Sequence, residues 1–269
     1  MKTVGIVGGV GPEASNKFCE ILIKRTHAKN DQENLPFLHF CNPQIPDRTD
    51  YLLGNGEDPT PEMIKTSKKL EKAGADFLVI PCNTAHSFLP KIQEGVSIPI
   101  VDMTKILVKG VLSDYPPIEK IGILATTGSI RTRIYQDYFE SVGIETLTPT
   151  EEEQENLVME AIYGNKGIKA GKKLIPRKKL REAAKKLISR GAEAIVLGCT
   201  EIPLVLKQKD FTTKLYDPMD LTTKEIVKYI SEDLENEVVS VRFVLRDFAK
   251  SVGRTTLEVG GDINVGVAV

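Results

Sequence analysis

Two cysteines, Cys82 and Cys199, occupy matching positions in two similar segments of the chain. Cys82 follows the residues Gly-Ala-Asp-Phe-Leu-Val-Ile-Pro, and Cys199 follows Gly-Ala-Glu-Ala-Ile-Val-Leu-Gly. Each segment predicts a buried strand that runs into a turn, with the cysteine as the first residue past the apolar stretch. Two thiols related by an approximate two-fold axis can approach one carbon atom from opposite sides. This arrangement suits the transfer of a proton across a stereocentre.

The spacing of these segments indicates a duplicated half-domain. The two cysteines are 117 residues apart (199 − 82), and the same offset relates Gly5 in Val-Gly-Ile-Val to Gly122 in Ile-Gly-Ile-Leu (122 − 5 = 117). The spacing therefore predicts that the register holds across both halves without a net insertion.

Each thiol could be functional, or it could simply be a small hydrophobic residue of the core, as buried cysteines commonly are. Function is favoured because both residues lie at repeat-equivalent positions and polar residues follow each of them. A thiol at the N-terminus of the next helix is exposed to the positive end of the helix dipole, which predicts a pKa lowered from about 8.5 toward neutrality. Cys19 lies in a helical core pattern, and Cys41 is left undecided.

Apolar runs of strand length alternate with amphipathic stretches of helix length, a pattern typical of βαβ units in a parallel sheet. The predicted strands are residues 4–7, 35–40, 77–80 and 98–101 in the first half and 121–124, 144–147, 194–197 and 214–216 in the second. The pattern predicts an α/β fold of two pseudo-symmetric, doubly wound sub-domains with parallel sheets and an active site in the cleft between them.

The predicted domain organisation has four parts. Residues 1–115 form the first α/β sub-domain and residues 116–218 the second, with Tyr115-Pro116-Pro117 as the connector. A helix over residues 219–236 is expected to return to the first sub-domain. Residues 237–269 are Gly-rich and β-prone, have no counterpart in either repeat, and are expected to form an added hairpin or a poorly ordered tail.

Composition limits the classes of partner. With 36 basic and 37 acidic residues, the net charge of −1 provides no global field to attract nucleic acid or an anionic membrane. A small-molecule partner is therefore predicted. No apolar run reaches the length of a membrane span, and the N-terminus lacks the layout of a signal peptide, which predicts a cytoplasmic protein. Four cysteines are too few for a disulfide scaffold.

Two turns and two loop cations could bind an anionic substrate. The turn from Gly8 to Gly11 brings backbone N–H groups to the start of a helix, where they can approach an anion, although a tight βα turn explains it equally well. The equivalent turn, Ala125-Thr126-Thr127-Gly128-Ser129, adds hydroxyl groups. Arg48 and Lys169 lie in Pro- or Gly-containing loops, where each could bind a carboxylate or be a solvated charge.

A metal site is the rival explanation for thiols near histidine. Cys82 and His86 are one helical turn apart and could chelate a metal in principle. The chain has three histidines and neither a Cys-x-x-Cys nor a His-x-x-x-His pair. We therefore predict no metal, and we expect His86 to be packed or to orient its loop.

Three motifs carry a resemblance to a known family. They are Gly8-Gly-Val-Gly-Pro-Glu-Ala, Cys82-Asn-Thr-Ala-His and Gly198-Cys-Thr-Glu-Ile-Pro. They resemble the signatures of the aspartate/glutamate racemase superfamily, and most closely its aspartate racemase branch, over residues 2 to about 236. The resemblance implies two similar α/β sub-domains, a two-base mechanism without a cofactor, and a homodimer.

The resemblance also implies roles for individual residues. The cysteines of the second and third motifs form the catalytic pair of the superfamily, here Cys82 and Cys199. The arginine that binds the substrate carboxylate corresponds to Arg48, and the lysine corresponds to Lys169, with Lys166 close enough to leave that choice open. Val10, in the first motif, stands where members often have methionine in the wall of the pocket.

The implied reaction is a proton transfer at the α-carbon of aspartate or glutamate. One cysteine thiolate removes the α-proton, and the other cysteine, as a thiol, delivers a proton to the opposite face. By resemblance, Cys199 acts on the L-enantiomer and Cys82 on the D-enantiomer. The side chains that we expect to stabilise the carbanion are Asn83, Thr84, Thr127 and Thr200.

Other functions remain open for the same fold. Related chains isomerise maleate by adding a cysteine to its double bond, or decarboxylate malonates with a single cysteine. The presence of two cysteines disfavours the decarboxylase more than the isomerase. A non-catalytic, two-lobed binding protein is a further alternative, which the paired thiols disfavour.

Overall fold

Two four-stranded parallel sheets form the framework of the protein. The computed structural model describes residues 1–235, so the extension predicted for residues 237–269 lies outside the described residues. The first sheet contains β1 (Val4–Gly8), β2 (Phe37–Cys41), β3 (Phe77–Val79) and β4 (Ile100–Val101), and the second contains β5 (Lys120–Ala125), β6 (Glu145–Leu147), β7 (Ala194–Gly198) and β8 (Lys214–Tyr216). The strand orders, β2-β1-β3-β4 and β6-β5-β7-β8, are equivalent. The predicted α/β fold with two parallel sheets is confirmed.

Helices connect the strands, as parallel pairing requires. The helices are α1 (Pro12–Thr26), α2 (Arg48–Leu52), α3 (Thr60–Lys72), α4 (Leu89–Gln93), α5 (Met103–Leu112), α6 (Thr127–Arg131), α7 (Gln136–Ser141), α8 (Glu151–Glu153), α9 (Glu160–Tyr163), α10 (Leu174–Ser189), α11 (Ile202–Val205) and α12 (Pro218–Glu235). A π-helical segment, Gln154–Met159, joins α8 to α9, and 3₁₀ turns cover Asp31–Glu33, Thr84–Phe88 and Gln208–Asp210. Among residues 1–235, no helix has both the length and the apolar character needed to cross a membrane.

The predicted repeat register holds for the central strands. Gly5 of β1 pairs with Leu78 of β3, and Gly122 of β5 pairs with Ile195 of β7, so both pairs are related by the offset of 117 (122 − 5 and 195 − 78). The outer strands depart from this offset. Val4 pairs with Phe37, whereas Ile121 pairs with Thr146, which gives an offset of 109 for β2 and β6 (146 − 37). For β4 and β8 the offset is 115 (215 − 100), since Leu78 pairs with Ile100 and Ile195 pairs with Leu215. The prediction of one register throughout is therefore wrong for the outer strands, because the connections around them differ in length.

Close packing explains why the first repeat needs glycine at position 5. A Cβ atom at Gly5 would lie 2.8 Å from the Cβ of Ala75, an atom that cannot move away without its backbone. We expect Gly5→Ala to lower the free energy of unfolding by about 1–3 kcal/mol, the usual cost of overpacking a core. Urea denaturation measures this change, with Lys178→Ala on the exposed side of α10 as a control that should stay within about 0.5 kcal/mol of the wild type. Equal stability of the two variants would contradict the packing argument.

Two helices pack on the sheet of the other half of the chain. Leu107 and Val108 of α5 share a buried apolar cluster with Ile121 of β5, in the second sheet. Ile226 of α12 shares a cluster with Val4 of β1, in the first sheet. Helix α5, which precedes the predicted boundary at residue 115, thus packs on the sheet that follows it. This exchange ties the two sheets together through the core.

Candidate active site

The central strands of both sheets end at one cavity. In open parallel sheets, ligands bind outside the carboxyl ends of the strands, at the point where the strand order reverses. Here that point lies beyond β1 and β3 in one sheet and beyond β5 and β7 in the other. Eight of the nine predicted site residues line the cavity, namely Val10, Arg48, Cys82, Asn83, Thr84, Lys169, Cys199 and Thr200. Three residues that were not predicted also line it, namely Thr126, Tyr163 and Glu201.

Thr127 is the predicted site residue that does not line the cavity. Its Oγ1 donates to Oε1 of Glu155 (3.3 Å) and accepts from Nε2 of Gln154 (3.3 Å), so its hydroxyl group is occupied by the π-helical segment. The preceding residue, Thr126, is the N-cap of α6 and lines the cavity instead. Of these two neighbouring threonines, Thr126 is therefore the one that lines the cavity. The first residue of the helix turns its side chain away from the turn that faces the cavity.

The loop that carries Cys82 is held in place by His86. The Nε2 atom of His86 accepts the backbone N–H of Met103 (3.1 Å), so Nδ1 carries the proton and donates to the carbonyl oxygen of Cys82 (2.9 Å). Both ring nitrogens are thus engaged, and His86 cannot chelate a metal together with the thiol. Within the described residues, no group of three or more His, Cys, Asp or Glu side chains is arranged to hold a metal ion.

The thiol of Cys199 is buried against a carboxylate. Its Sγ donates to Oε2 of Glu201 at 2.9 Å, and the hydroxyl group of Thr200 donates to the same oxygen at 3.3 Å. Burial first, and then the charge of Glu201, raise the pKa of the Cys199 thiol well above its ordinary value. The predicted lowering of the pKa by the helix dipole is therefore wrong for Cys199, because desolvation and a like charge outweigh it.

Arg48 is a buried cation beside Cys82. Its Nη1 donates to the carbonyl oxygens of Pro46 (2.8 Å) and Ile45 (3.3 Å), and its Nε has no hydrogen-bond partner within residues 1–235. Burial acts to lower the pKa of the guanidinium group, but interactions with Cys82 and Asp47 raise it overall. The Arg48 charge is thus stabilised by its surroundings, and part of its donor capacity is left for a ligand.

Lys169 reaches the cavity from the loop before α10. Its Nζ lies 3.8 Å from Oδ2 of Asp47 and 3.9 Å from Oε1 of Glu201, and it stands 4.7 Å from the ring centre of Tyr163. Lys166 is exposed and does not line the cavity. Of the two lysines between which the sequence left the choice open, Lys169 is the one that lines the cavity.

Tyr163, which lies beside Lys169, links the two halves of the chain through Asp47. Its hydroxyl group donates to Oδ2 of Asp47 at 3.1 Å. Burial, followed by the charge of Asp47, raises the pKa of this hydroxyl group, which keeps it protonated as a donor. Although burial opposes it, the cations Arg48 and Lys169 hold the pKa of Asp47 below its ordinary value. These contacts join Asp47 of the first half of the chain to Tyr163 and Lys169 of the second.

Asn83 presents an amide that is ready to bind. The residue is 1 % exposed, and neither Nδ2 nor Oδ1 has a hydrogen-bond partner within the described part of the chain. An unpaired buried amide is costly, so such groups usually have a partner. Because the amide lies in the cavity wall, it fits a polar ligand that completes its hydrogen bonds.

A cluster of hydroxyl groups joins the sub-domains on the other side. The Oγ1 of Thr84 lies 3.0 Å from Oγ1 of Thr126 and 2.9 Å from Oγ of Ser129. Thr84 follows β3 of the first sheet, whereas the other two follow β5 of the second. The cluster therefore joins the loop that carries Cys82 to the turn that follows β5.

The residues that were not predicted had weak signals in the sequence. Glu201 stands two residues after Cys199, within a motif that was recognised, and Thr126 adjoins the predicted Thr127. Tyr163 lies six residues before Lys169. Each of them lies near a predicted residue in the sequence. This proximity alone does not indicate which side chains turn into the cavity.

Most of the chain is similar in sequence to known proteins. The family model described as Asp/Glu/Hydantoin racemase matches residues 7–226. A broad specificity amino-acid racemase of Bacillus subtilis, RacX, is 26% identical over 207 residues, which cover 76% of this chain and 87% of that protein. The family match thus spans both cysteine motifs.

Solved structures superpose on most of the chain. The aspartate racemase of Picrophilus torridus superposes with a TM-score of 0.76 at 27% identity, covering 86% of this chain and 95% of that chain. An aspartate racemase homologue from Pyrococcus horikoshii has a TM-score of 0.67 at 25% identity, covering 86% of this chain and 100% of that chain. The fold and its two-sheet architecture are therefore those of these proteins.

Proposed function

Because the chain belongs to the Asp/Glu/hydantoin racemase family and is an isomerase of the racemase type, we propose that it interconverts the L- and D-forms of a small acidic amino acid. Aspartate is the proposed substrate, and glutamate is the second candidate. The observation that carries the proposal is the placement of two buried thiols, Cys82 and Cys199, in the wall of one cavity at the ends of repeat-equivalent strands. Assembly as a homodimer and a cytoplasmic location stay predictions.

In the proposed reaction, one proton is removed from the α-carbon of the substrate and another is added to its opposite face. The thiolate of one cysteine takes the α-proton, and the electron pair of the broken C–H bond stays on the substrate as a carbanion. The thiol of the other cysteine then protonates the opposite face of that carbon and becomes a thiolate. As the resemblance implies, Cys82 removes the proton of the D-enantiomer and Cys199 that of the L-enantiomer. The reaction needs no cofactor in this form.

Stabilisation of the carbanion is the main difficulty, because a thiolate is a mild base and the α-proton is a very weak acid. Donors aimed at the α-carboxylate would each contribute on the order of 3 kcal/mol when well placed. The amide of Asn83, which has no partner in the described part of the chain, lines the cavity where such donors are needed, as do the hydroxyl-bearing residues Thr84, Thr126 and Thr200. We propose Thr126 for the role that the sequence suggested for Thr127.

Two cations are proposed to hold the side-chain carboxylate of the substrate. Among residues 1–235, Nε of Arg48 has no hydrogen-bond partner, and the side chain of Lys169 is 29% exposed, so both can turn donors toward a ligand. The present partners of Lys169, Asp47 and Glu201, lie at 3.8 and 3.9 Å, beyond hydrogen-bond distance. A substrate carboxylate could therefore form a closer contact with this ammonium group. Holding both ends of the substrate would place its α-carbon at the two sulfur atoms.

Incubation with L-aspartate in D₂O, without added pyridoxal phosphate, tests the proposal. We expect α-deuterium to be incorporated and D-aspartate to form, because the proton delivered by the second thiol comes from solvent exchange. Heat-denatured protein is the control. No exchange with aspartate, glutamate or other amino acids would refute the racemase proposal. Conversion of maleate without α-exchange would instead identify a cysteine-dependent isomerase.

A further inference from the structure

Glu201 is the carboxylate nearest to Cys199, and the first half of the chain has no equivalent. Subtracting the repeat offset of 117 from position 201 leads to position 84, which is Thr84. Glu201 is 6% exposed, its Oε2 accepts the thiol of Cys199 at 2.9 Å, and its Oε1 lies 3.9 Å from Nζ of Lys169. The two cysteines therefore differ in their electrostatic environment, with an anion beside Cys199 and the cation Arg48 beside Cys82.

The fold makes room for this carboxylate. Gly11 has a φ of 106°, and a Cβ atom at this position would come within 2.3 Å of Oε1 of Glu201. A side chain is disfavoured here both by the left-handed backbone and by the carboxylate. The last glycine of the first turn is thus explained by Glu201, which packs against it from the other sub-domain.

We propose that Glu201 is a positioning residue that keeps Cys199 as the proton-donating thiol, and that Lys169 tunes this effect when an anionic substrate side chain binds. This role rests on the racemase function proposed above. It would make the kinetic constants of the L-to-D reaction differ from those of the D-to-L reaction. In the step that starts from the Cys82 thiolate, the Cys199 S–H bond breaks as its proton moves to the substrate carbon.

The charged and titratable groups around Cys199 support this assignment. Glu201 raises the pKa of the thiol in addition to burial, whereas Lys169 lowers it. The phenols of Tyr135 and Tyr163 also interact with Cys199, and burial keeps both protonated. A substrate carboxylate bound to Lys169 would offset the positive charge that now lies near Glu201. The thiol form of Cys199 would then be favoured further, so that side-chain recognition and protonation state are linked.

Steady-state kinetics provide a first test with Glu201→Gln. Enantiomers have equal free energy, so kcat/KM is the same in both directions and the asymmetry can occur only in KM and kcat separately. We expect the wild type to show a lower KM and a lower kcat for the enantiomer that Cys82 deprotonates. In E201Q, the ratio of the two KM values should move toward unity by roughly tenfold, because the charge that favours the thiol is gone. An unchanged ratio would refute the proposal.

Alkylation of Cys199 by iodoacetamide is the second test, and it does not depend on racemase activity. Mass spectrometry of the Cys199 peptide is used to follow the rate from pH 6 to 10. Below the wild-type pKa, we expect alkylation to be roughly tenfold faster in E201Q and slower in Lys169→Met, since the thiolate is the reactive form. Glu155→Gln, outside the cavity lining, should match the wild type.

The two tests separate the possible failures. Rates of E201Q and K169M that both follow the wild-type profile would refute the electrostatic coupling, even in an active racemase. Shifted rates without racemisation of any amino acid would refute the proposed function and, with it, the catalytic part of this inference. If E201Q does not fold, Lys169→Met still tests the electrostatic coupling. Lys169 is partly exposed, so its replacement should leave the fold intact.

Discussion

Replacing either Cys82 or Cys199 with serine is expected to lower the rate of racemisation by at least about 1000-fold. Both thiols are required in each direction, because one removes a proton and the other supplies one. A serine hydroxyl group has nearly the size of the thiol but is far too weak an acid to form the anion that removes the α-proton. Formation of the opposite enantiomer, followed by polarimetry or chiral chromatography, measures the loss.

A substrate with a leaving group separates the two roles. Loss of chloride from a 3-chloro analogue of aspartate needs removal of the α-proton but no protonation on the opposite face. Cys82→Ser keeps Cys199 and should eliminate chloride from one enantiomer, whereas Cys199→Ser should act on the other. Cys41→Ser is the matched control, because this thiol is exposed and outside the cavity lining. Full racemase activity of C82S or C199S would exclude the two-base mechanism.

Replacing Arg48 is expected to have the second largest effect. We expect Arg48→Lys to lower kcat/KM for aspartate by roughly 100-fold, equivalent to about 3 kcal/mol. Lysine keeps the positive charge but lacks the planar fork that can contact the backbone of the loop and a carboxylate at the same time. The Nη1 contacts with Pro46 and Ile45 leave Nε available, and a lysine ammonium group cannot reproduce both sets of bonds.

Inhibition by succinate tests whether Arg48 acts on a carboxylate or only supports the loop. Succinate has two carboxylates and no amino group, so its inhibition constant reports on binding without chemistry. We expect R48K to weaken succinate inhibition along with aspartate turnover, while the exposed Arg131→Lys changes neither. If R48K keeps the wild-type inhibition constant for succinate, Arg48 does not bind the substrate side chain. Urea denaturation of the variants shows whether a loss reflects unfolding.

Much of the cavity lining could be predicted because several of its residues follow strands. The central strands are short apolar runs, and their ends could be located in the sequence to within one or two residues, for example 194–197 predicted and Ala194–Gly198 observed. Since parallel strands end at the same edge of a sheet, Cys82 and Cys199 could be expected near a cleft. The loop cations Arg48 and Lys169 were identified by residue type and by resemblance.

The direction of individual side chains could not be predicted in the same way. Thr126 and Thr127 are neighbours with identical chemistry, and the start of helix α6 decides that Thr126 lines the cavity. The effect of Glu201 on Cys199 was also missed, and with it the pKa shift that opposes the helix dipole. The balance between a dipole, burial and a carboxylate depends on distances that residue spacing along the chain does not specify.

The sequence by itself determined the two parallel sheets, the 117-residue relation between the central strands, and the position of both thiols at strand ends, because hydrophobic periodicity and repeat spacing are local properties. Only the tertiary structure decided that α5 and α12 pack on each other's half of the chain and that Gly11 leaves space for Glu201. The contacts of α12 with β1 and of Gly11 with Glu201 join residues more than 100 positions apart. They depend on how complete elements pack, so the different surroundings of two otherwise equivalent cysteines emerge only in the folded chain.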